Sequence, residues 1–264
     1  MAWYIYDMTS RLYVGTSGFS YPEWRGTFYP ADLPNDGMLH HYSRVFSTVE
    51  LNNTFYRFPK TEYVEQWRKA TPQGFRFSVK ANRQITHNRR LRDVEELVRV
   101  QLERVGGLGD RRGPLLFQLP PSLRRDAPLL RDFLYALPPS LVAVEFRHAS
   151  WYDDEIYALL REQGAALVIM ESDEDTPVLE FVGPFAYLRL HRSTYTPADL
   201  DTWTSRIAAQ IEQQRDVYAY FTHEEGAPAP EYAEQLRGLV DGRPEATEPE
   251  ATPPSRRRAT RRTP

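Results

Sequence analysis

The 264-residue sequence has no cysteine. Disulfides, thiolate metal centres, iron–sulfur clusters and a cysteine nucleophile are thereby excluded together. Any zinc or iron would have to be held by histidine and carboxylate ligands alone. Lysine is scarce too, with Lys60, Lys69 and Lys80 the whole set. That bias toward arginine runs along the entire chain, so arginine abundance by itself signals no partner. Neither sign of charge dominates: 33 Lys+Arg stand against 36 Asp+Glu, a net charge of -3, which rules out nucleic-acid binding by overall charge. No apolar run approaches the ~18 residues of a membrane-spanning helix, and no membrane partner is expected. Residues 1–11 lack the basic start and apolar centre of a secretory signal and read as a leader, with Met8 as a second candidate start. A cytoplasmic protein is expected.

Hydrophobic residues make up 41% of the chain, enough for the full core that a domain of this size can bury. Short apolar runs alternate with amphipathic stretches. Strands are expected at 12–16, 48–51, 76–80, 115–119, 141–146, 166–170, 185–190 and 217–221. Helices are expected at 38–46, 61–70, 91–108, 127–137, 153–163, 197–213 and 230–240. The 91–108 stretch carries Leu91, Val94, Leu97, Val98, Leu102 and Val105 at helical spacing. No helix is legible between the sixth and seventh strands. Eight strands with intervening helices predict an α/β fold, a (βα)8 TIM barrel spanning 12–240 as a single domain. Beyond it, 241–264 is Pro-, Thr-, Glu- and Arg-rich without apolar period and reads as a disordered tail. Its five terminal arginines fit either a nucleic-acid arm or a solubilising tail.

In a barrel strand, alternate residues face the interior and the surrounding helices. Val142, Val144 and Phe146 form one apolar face, which leaves Glu145 and Arg147 pointing inward. The same sorting turns Tyr187, Arg189 and His191 inward, and likewise Glu50 and Asn52, Ser78, Lys80 and Asn82, and Gln118 with Leu116. These polar groups gather at strand carboxyl ends, where barrels bind ligands. They could be a structural ion-pair network, but buried pairs rarely repay their desolvation, and a binding site is the favoured reading. Two carboxylates face three cations, and that excess suits an anionic ligand. In the loop after the first strand, Thr16 and Ser17 offer hydroxyls and backbone N–H groups to an anion. Tyr56 and Trp151 follow two inward-polar strands and join the expected contacts to substrate.

The chain resembles the YecE-like (DUF72) family. The resemblance rests on Val14-Gly-Thr-Ser-Gly-Phe-Ser-Tyr-Pro-Glu-Trp-Arg-Gly26, Thr48-Val-Glu-Leu-Asn-Asn-Thr-Phe-Tyr-Arg57 and Phe75-Arg-Phe-Ser-Val-Lys80. It continues through Thr86-His87, Leu116-Phe-Gln-Leu-Pro-Pro121, Val144-Glu-Phe-Arg-His-Ala-Ser-Trp151 and Tyr187-Leu-Arg-Leu-His191, in that order. It implies a TIM barrel and no particular reaction. Where the resemblance implies an Asn pair after the last strand, this chain has Phe221-Thr222-His223, which brings a metal-capable histidine to one side of the mouth.

Three chemistries are expected to compete. The first is a cofactor-independent enzyme on a small anionic or sugar-like substrate. Glu50 or Glu145 would be a general base, His191 a further acid/base group, Lys80 an electrostatic stabiliser, and Arg147 and Arg189 anion clamps. Glycoside hydrolysis by the two carboxylates is a variant that their separation would decide. A Schiff base at Lys80 is disfavoured on the expectation that neighbouring carboxylates raise its pKa. The second is a metal-dependent phosphodiesterase using Glu145, His148, Asp173, His191 and His223, although no tight ligand motif is present. The third is a non-enzymatic module that binds a ligand at the mouth or nucleic acid through the tail. No cofactor or metal is assigned. Deleting residues after Gly242 is expected to leave the melting temperature unchanged in calorimetry, because the tail buries too little to offset its ordering entropy. A loss of many degrees would refute this.

Overall fold

The computed structural model of the chain describes residues 11–138, 140–222 and 228–242. Residues 1–10 of the expected leader, His223, and residues 243–264 of the expected disordered tail lie outside the described residues. Eight parallel strands close into a barrel in chain order: β1 (Leu12–Ser17), β2 (Thr48–Leu51), β3 (Arg76–Lys80), β4 (Arg112–Gln118), β5 (Val142–Glu145), β6 (Ala165–Ser172), β7 (Ala186–His191) and β8 (Val217–Thr222). Around them lie α1 (Met38–Val45), α2 (Thr61–Ala70), α3 (Glu95–Val105), α4 (Ala127–Ala136), α5 (Asp154–Glu162), α6 (Pro197–Glu212) and α7 (Ala229–Asp241). Among the described residues no helix is long and apolar enough to cross a membrane.

Strand alternation divides the interior into two apolar cores. Val49, Phe77, Val144, Ile169 and Leu188 face outward and pack under the helices. Tyr13, Leu116, Val168, Phe185, Tyr187, Tyr218 and Tyr220 fill the barrel itself. Tyr13 and Tyr218 stack with centroids 4.7 Å apart, and Phe185 meets Tyr218 edge-on at 5.7 Å. Above them the Tyr220 hydroxyl bonds Thr48 Oγ1 at 2.8 Å and Ser78 Oγ at 2.6 Å. This aromatic plug closes the lower barrel, so a ligand must approach from the strand carboxyl ends.

Between β6 and β7 the chain turns back along the outer face of the barrel instead of forming a helix. Leu167 N–H donates to the Val182 carbonyl at 3.0 Å, and Val182 is buried where a helix would otherwise cover β6. Gly183 has φ of 101° and passes so close to Ala165 that an added Cβ would lie 2.4 Å from its carbonyl oxygen.

The expected 91–108 helix is shorter, and the reason is the backbone before it. Arg90, Leu91 and Asp93 have φ of 50°, 67° and 52°, left-handed values that end any helical run. Leu91 and Val94 reach the core from this coil, so the apolar spacing survives without the helix. Just upstream, Gln84–Asn88 forms a π-helical turn.

The seam between β1 and β2 is the weakest in the ladder, with Ser17 opposite Glu50 as its register pair. A side chain completes it. The Tyr42 hydroxyl from α1 accepts from Thr16 N–H at 2.8 Å and donates to the Thr48 carbonyl at 3.1 Å. Gly15 leaves room for this insertion, since a Cβ there would sit 2.1 Å from the Thr48 oxygen. Tyr42→Phe would strand two buried backbone groups and should destabilise the fold by about 2–4 kcal/mol in urea denaturation. A change within error would show that the seam holds without the hydroxyl.

Candidate functional site at the barrel mouth

β2, β5 and β7 each present one charged residue inward near the carboxyl end, and the three meet. Arg189 places Nε 3.0 Å from Glu50 Oε2, Nη2 2.9 Å from Glu50 Oε1, and Nη1 2.6 Å from Glu145 Oε2. The guanidinium fork thus holds Glu50 bidentately and Glu145 with its remaining arm. Ser17 Oγ and the Tyr187 hydroxyl each donate to Glu50 at 2.8 Å, and Gln118 Nε2 donates to Glu145 Oε1 at 2.8 Å. Arg147 Nε donates to the same Glu145 oxygen. Both carboxylates are fully buried.

The charges answer one another. Burial pushes the Glu145 carboxyl up, but the charges of Arg189 and Arg147 and the Gln118 hydrogen bond outweigh it and hold the group down at about 2. Glu50 is lowered too, since Arg189 and Lys80 overcome its burial. Arg189 is raised, because Glu145 and Glu50 together outweigh its desolvation. His191 is pushed down to about 3 by burial and by Arg189, and stands as the neutral imidazole.

Lys80 differs. Its ammonium lies 4.7 Å from the centroid of the Phe55 ring, and among the described residues it has no hydrogen bond or ion pair. Burial, then Arg189, lowers it to about 8, against the opposing pull of Glu50 and Glu145. The expectation that the carboxylates would raise it is corrected here. Arg189 and Arg147 already neutralise both carboxylates, so desolvation wins. Three polar atoms near the strand ends are also buried without a partner: Asn52 Oδ1, His191 Nε2 and Thr222 Oγ1. Asn52 opens onto a cleft of about 570 Å³ shared with Phe19, Tyr21, Arg57 and Tyr63.

Of the residues singled out in the sequence, Glu50, Lys80, Glu145, Arg147, Arg189, Ser17 and Gln118 belong to one group, with Asn52 and His191 at the same strand ends. Four lie elsewhere. Thr16 has the outward parity and bonds Tyr42 and the Gly18 carbonyl. Trp151 is wholly buried in the outer core, stacked on Phe146 at 4.8 Å with Nε1 bonded to the Leu123 carbonyl, so it cannot touch a ligand. Asn82 uses both ends of its amide locally, accepting from Gln84 N–H at 3.0 Å and donating to the Thr54 carbonyl at 3.1 Å. Tyr56 is 71% exposed on the rim, edge-on to Phe55. Glycoside hydrolysis needs one carboxyl raised into the acid role, whereas both are lowered here.

Sequence reasoning gave no role to Phe55 or His87. The His87 ring meets Phe55 edge-on at 4.9 Å, opposite the lysine contact in kind, and its Nδ1 is 2.9 Å from Thr86 Oγ1. Both follow strands in short irregular turns, where no periodicity marks a facing direction. For the metal reading, His148 Nδ1 caps Ser150 N–H at 3.1 Å and Asp173 accepts from Ser193 N–H at 3.0 Å. Among the described residues no three His, Asp or Glu are grouped to hold a metal ion.

An eight-stranded barrel whose lower half is filled by aromatic side chains and whose carboxyl mouth carries a buried ion-pair network is the class of protein defined here. Within that class, the family described as "Protein of unknown function DUF72" matches residues 13–257, and the chain belongs to it. It is 33% identical over 168 residues to the UPF0759 protein YecE of Escherichia coli K12, a stretch covering 61% of this chain and 59% of that protein. It is 23% identical over 273 residues to the UPF0759 protein YunF of Bacillus subtilis 168, covering 87% and 95%. A crystal structure of a DUF72 family protein from Thermotoga maritima MSB8 superposes with a TM-score of 0.76 at 27% identity, covering 87% of this chain and 99% of that one. A second, from Enterococcus faecalis V583, shares the fold at a TM-score of 0.72 and 19% identity, covering 88% and 98%.

Arg189→Met would leave two buried carboxylates without their shared cation and should cost about 3–5 kcal/mol at pH 7. The deficit should shrink toward pH 4. In the wild type, Glu145 titrates below its unfolded value, so its stabilisation is complete above pH 4.5 and fades toward about 2. In the variant, desolvation raises the carboxyls, and acid neutralises them. A deficit independent of pH in calorimetry would contradict this account.

Proposed function

We propose that the protein is an enzyme that binds a small anionic or sugar-like substrate at the barrel mouth and acts on it by electrostatic and acid/base catalysis. The observation that carries this reading is the unanswered positive charge. Glu50 and Glu145 are matched by Arg189 and by the Nε edge of Arg147, which leaves the Lys80 ammonium without a counter-charge. Holding a half-buried cation unpaired is unfavourable for the fold alone, and an anion supplies what is missing. Arg147 adds its two Nη groups, since Nε makes its ion pair with Glu145 and the side chain is 29% exposed.

Each residue then has a distinct part. Arg189 positions the two carboxylates, and these in turn orient Arg147. Lys80 and Arg147 attract the anionic group. His191, neutral at physiological pH, relays a proton, one ring nitrogen accepting as the other donates, and Nε2 is its unpartnered end. Asn52 and Thr222 provide unpartnered oxygens for substrate hydroxyls, and the aromatic cleft beside Asn52 suits a sugar-like portion.

Thermal-shift titration with inorganic phosphate, followed by proton NMR of a sugar-phosphate panel, tests the reading. Saturating phosphate should raise the wild-type melting temperature by about 5–10 °C, with the rise lost in Arg147→Ala and reduced in Lys80→Met. A sugar phosphate that binds should be converted by the wild type and spared by Lys80→Met. Binding without conversion would make the protein a ligand-binding module, and no response to any anion would make the network purely structural.

A further inference from the structure

We propose that Lys80 Nζ is a covalent centre that forms an imine with the carbonyl carbon of a small aldehyde or ketone carrying a phosphate or carboxylate. This rests on the reading above, that the mouth takes an anion, and narrows it to a substrate class. Three features of the site support it.

The first is the way Lys80 is mounted. Its backbone carbonyl accepts from Thr54 Oγ1 at 2.7 Å and from Gln101 Nε2 at 3.1 Å. Gln101 Oε1 also accepts from Asn82 N–H at 2.9 Å, so a residue on α3 fixes both Lys80 and the turn that follows it. That turn continues into the π-helical Gln84–Asn88 and the left-handed Arg90, Leu91 and Asp93. Strained backbone of this kind persists where a neighbouring group must be held in one place.

The second is what surrounds the amine. Glu50 from β2, Glu145 and Arg147 from β5, Arg189 from β7 and His87 after β3 all act on it electrostatically, and His191 from β7 is acted on by the same two carboxylates and two arginines. The two carboxylates that would keep it protonated are held by arginines, and the near wall is the Phe55 ring. Burial brings the amine to about 8, where a useful fraction is neutral and nucleophilic.

The third is the division of labour. With Arg147 holding the anionic group through its Nη atoms, Lys80 is free to attack. The nitrogen lone pair forms the C–N bond while the carbonyl π pair moves to oxygen, which takes a proton to give a carbinolamine. Nitrogen then loses a proton, and the hydroxyl leaves with another as water. The product is a protonated imine that restores the positive charge beside Glu50 and Glu145. His191 Nε2, buried without a partner, is the proposed proton relay.

The scarcity of lysine makes the test direct. Wild-type protein is incubated with glycolaldehyde phosphate and sodium cyanoborohydride, and the reduced adduct is mapped by peptide mass spectrometry. Exposed Lys60 and Lys69 are internal references. Lys80 should be labelled roughly tenfold or more faster than either. The rate should rise with pH to a midpoint near 8, and inorganic phosphate should suppress it. Equal or faster labelling of Lys60 and Lys69 would overturn the proposal. Labelling of Lys80 by uncharged glycolaldehyde as fast as by its phosphate would overturn the anionic substrate class. If phosphate raises the melting temperature but Lys80 is not labelled, the imine fails and the electrostatic reading stands. If phosphate produces no thermal shift, the electrostatic reading fails.

Discussion

One guanidinium organises the mouth of this barrel. Arg189 reaches from β7 to carboxylates on β2 and β5, and it ties together strands that do not touch in the ladder. An exposed ion pair contributes little, because water screens it and two long side chains must be ordered. Here the carboxylates are fully buried, and each of their four oxygens accepts at least one hydrogen bond, from Arg189, Ser17, Tyr187, Gln118 or Arg147. Such a network need not add net stability, yet it permits few alternative arrangements. The stiffness that results is what an electrostatic site requires, since fixed charges need not reorganise when substrate charge develops.

That rigidity has supports beneath and beside it. Below, the Tyr13–Tyr218 stack and the Tyr220 hydroxyl fill the barrel, so the ion pairs rest on an aromatic floor instead of on water. Beside it, the Tyr42 hydroxyl completes the sparse β1–β2 seam next to Ser17 and Glu50. The saturation of Glu50 and Glu145 also explains the character of Lys80. A lysine among free carboxylates is a spectator ion, whereas the same lysine among neutralised carboxylates is a desolvated amine. Arg189 therefore acts on Lys80 twice, by direct charge repulsion and by occupying the groups that would otherwise hold its proton.

Membership of the DUF72 family accounts for the fold and leaves the chemistry to the site itself. Among the described residues five buried polar side-chain atoms lack a hydrogen bond; Asn52 Oδ1, His191 Nε2 and Thr222 Oγ1 belong to the strand ends of the mouth, while Arg125 Nε and Ser140 Oγ lie outside it. A buried polar atom without a hydrogen bond is unfavourable for folding, so its recurrence at one level of one structure points toward a ligand.

Strand order, barrel closure and the inward direction of Glu50, Lys80, Glu145, Arg147, Arg189 and His191 were legible in the sequence. The reason is that a period of two is a local property of extended backbone and needs no knowledge of neighbours. Helix α3 was legible throughout, but the expected 91–108 overran it at both ends, since apolar spacing does not register the left-handed residues that begin the segment. Trp151 was misplaced because a residue in the turn after β5 carries no parity, whereas Thr16 lies on β1 itself and its parity, opposite to that of Tyr13, turns it outward. What tertiary structure alone decided was pairing. Which carboxylate answers which cation, and which cation is left over, depends on distances between strands separated by as much as 139 positions in the chain. Desolvation and Coulomb attraction act on those distances, so the sequence determined the ionisable groups and the face they share, and the closed barrel determined that the Lys80 ammonium meets the Phe55 ring and, among the described residues, no ion pair.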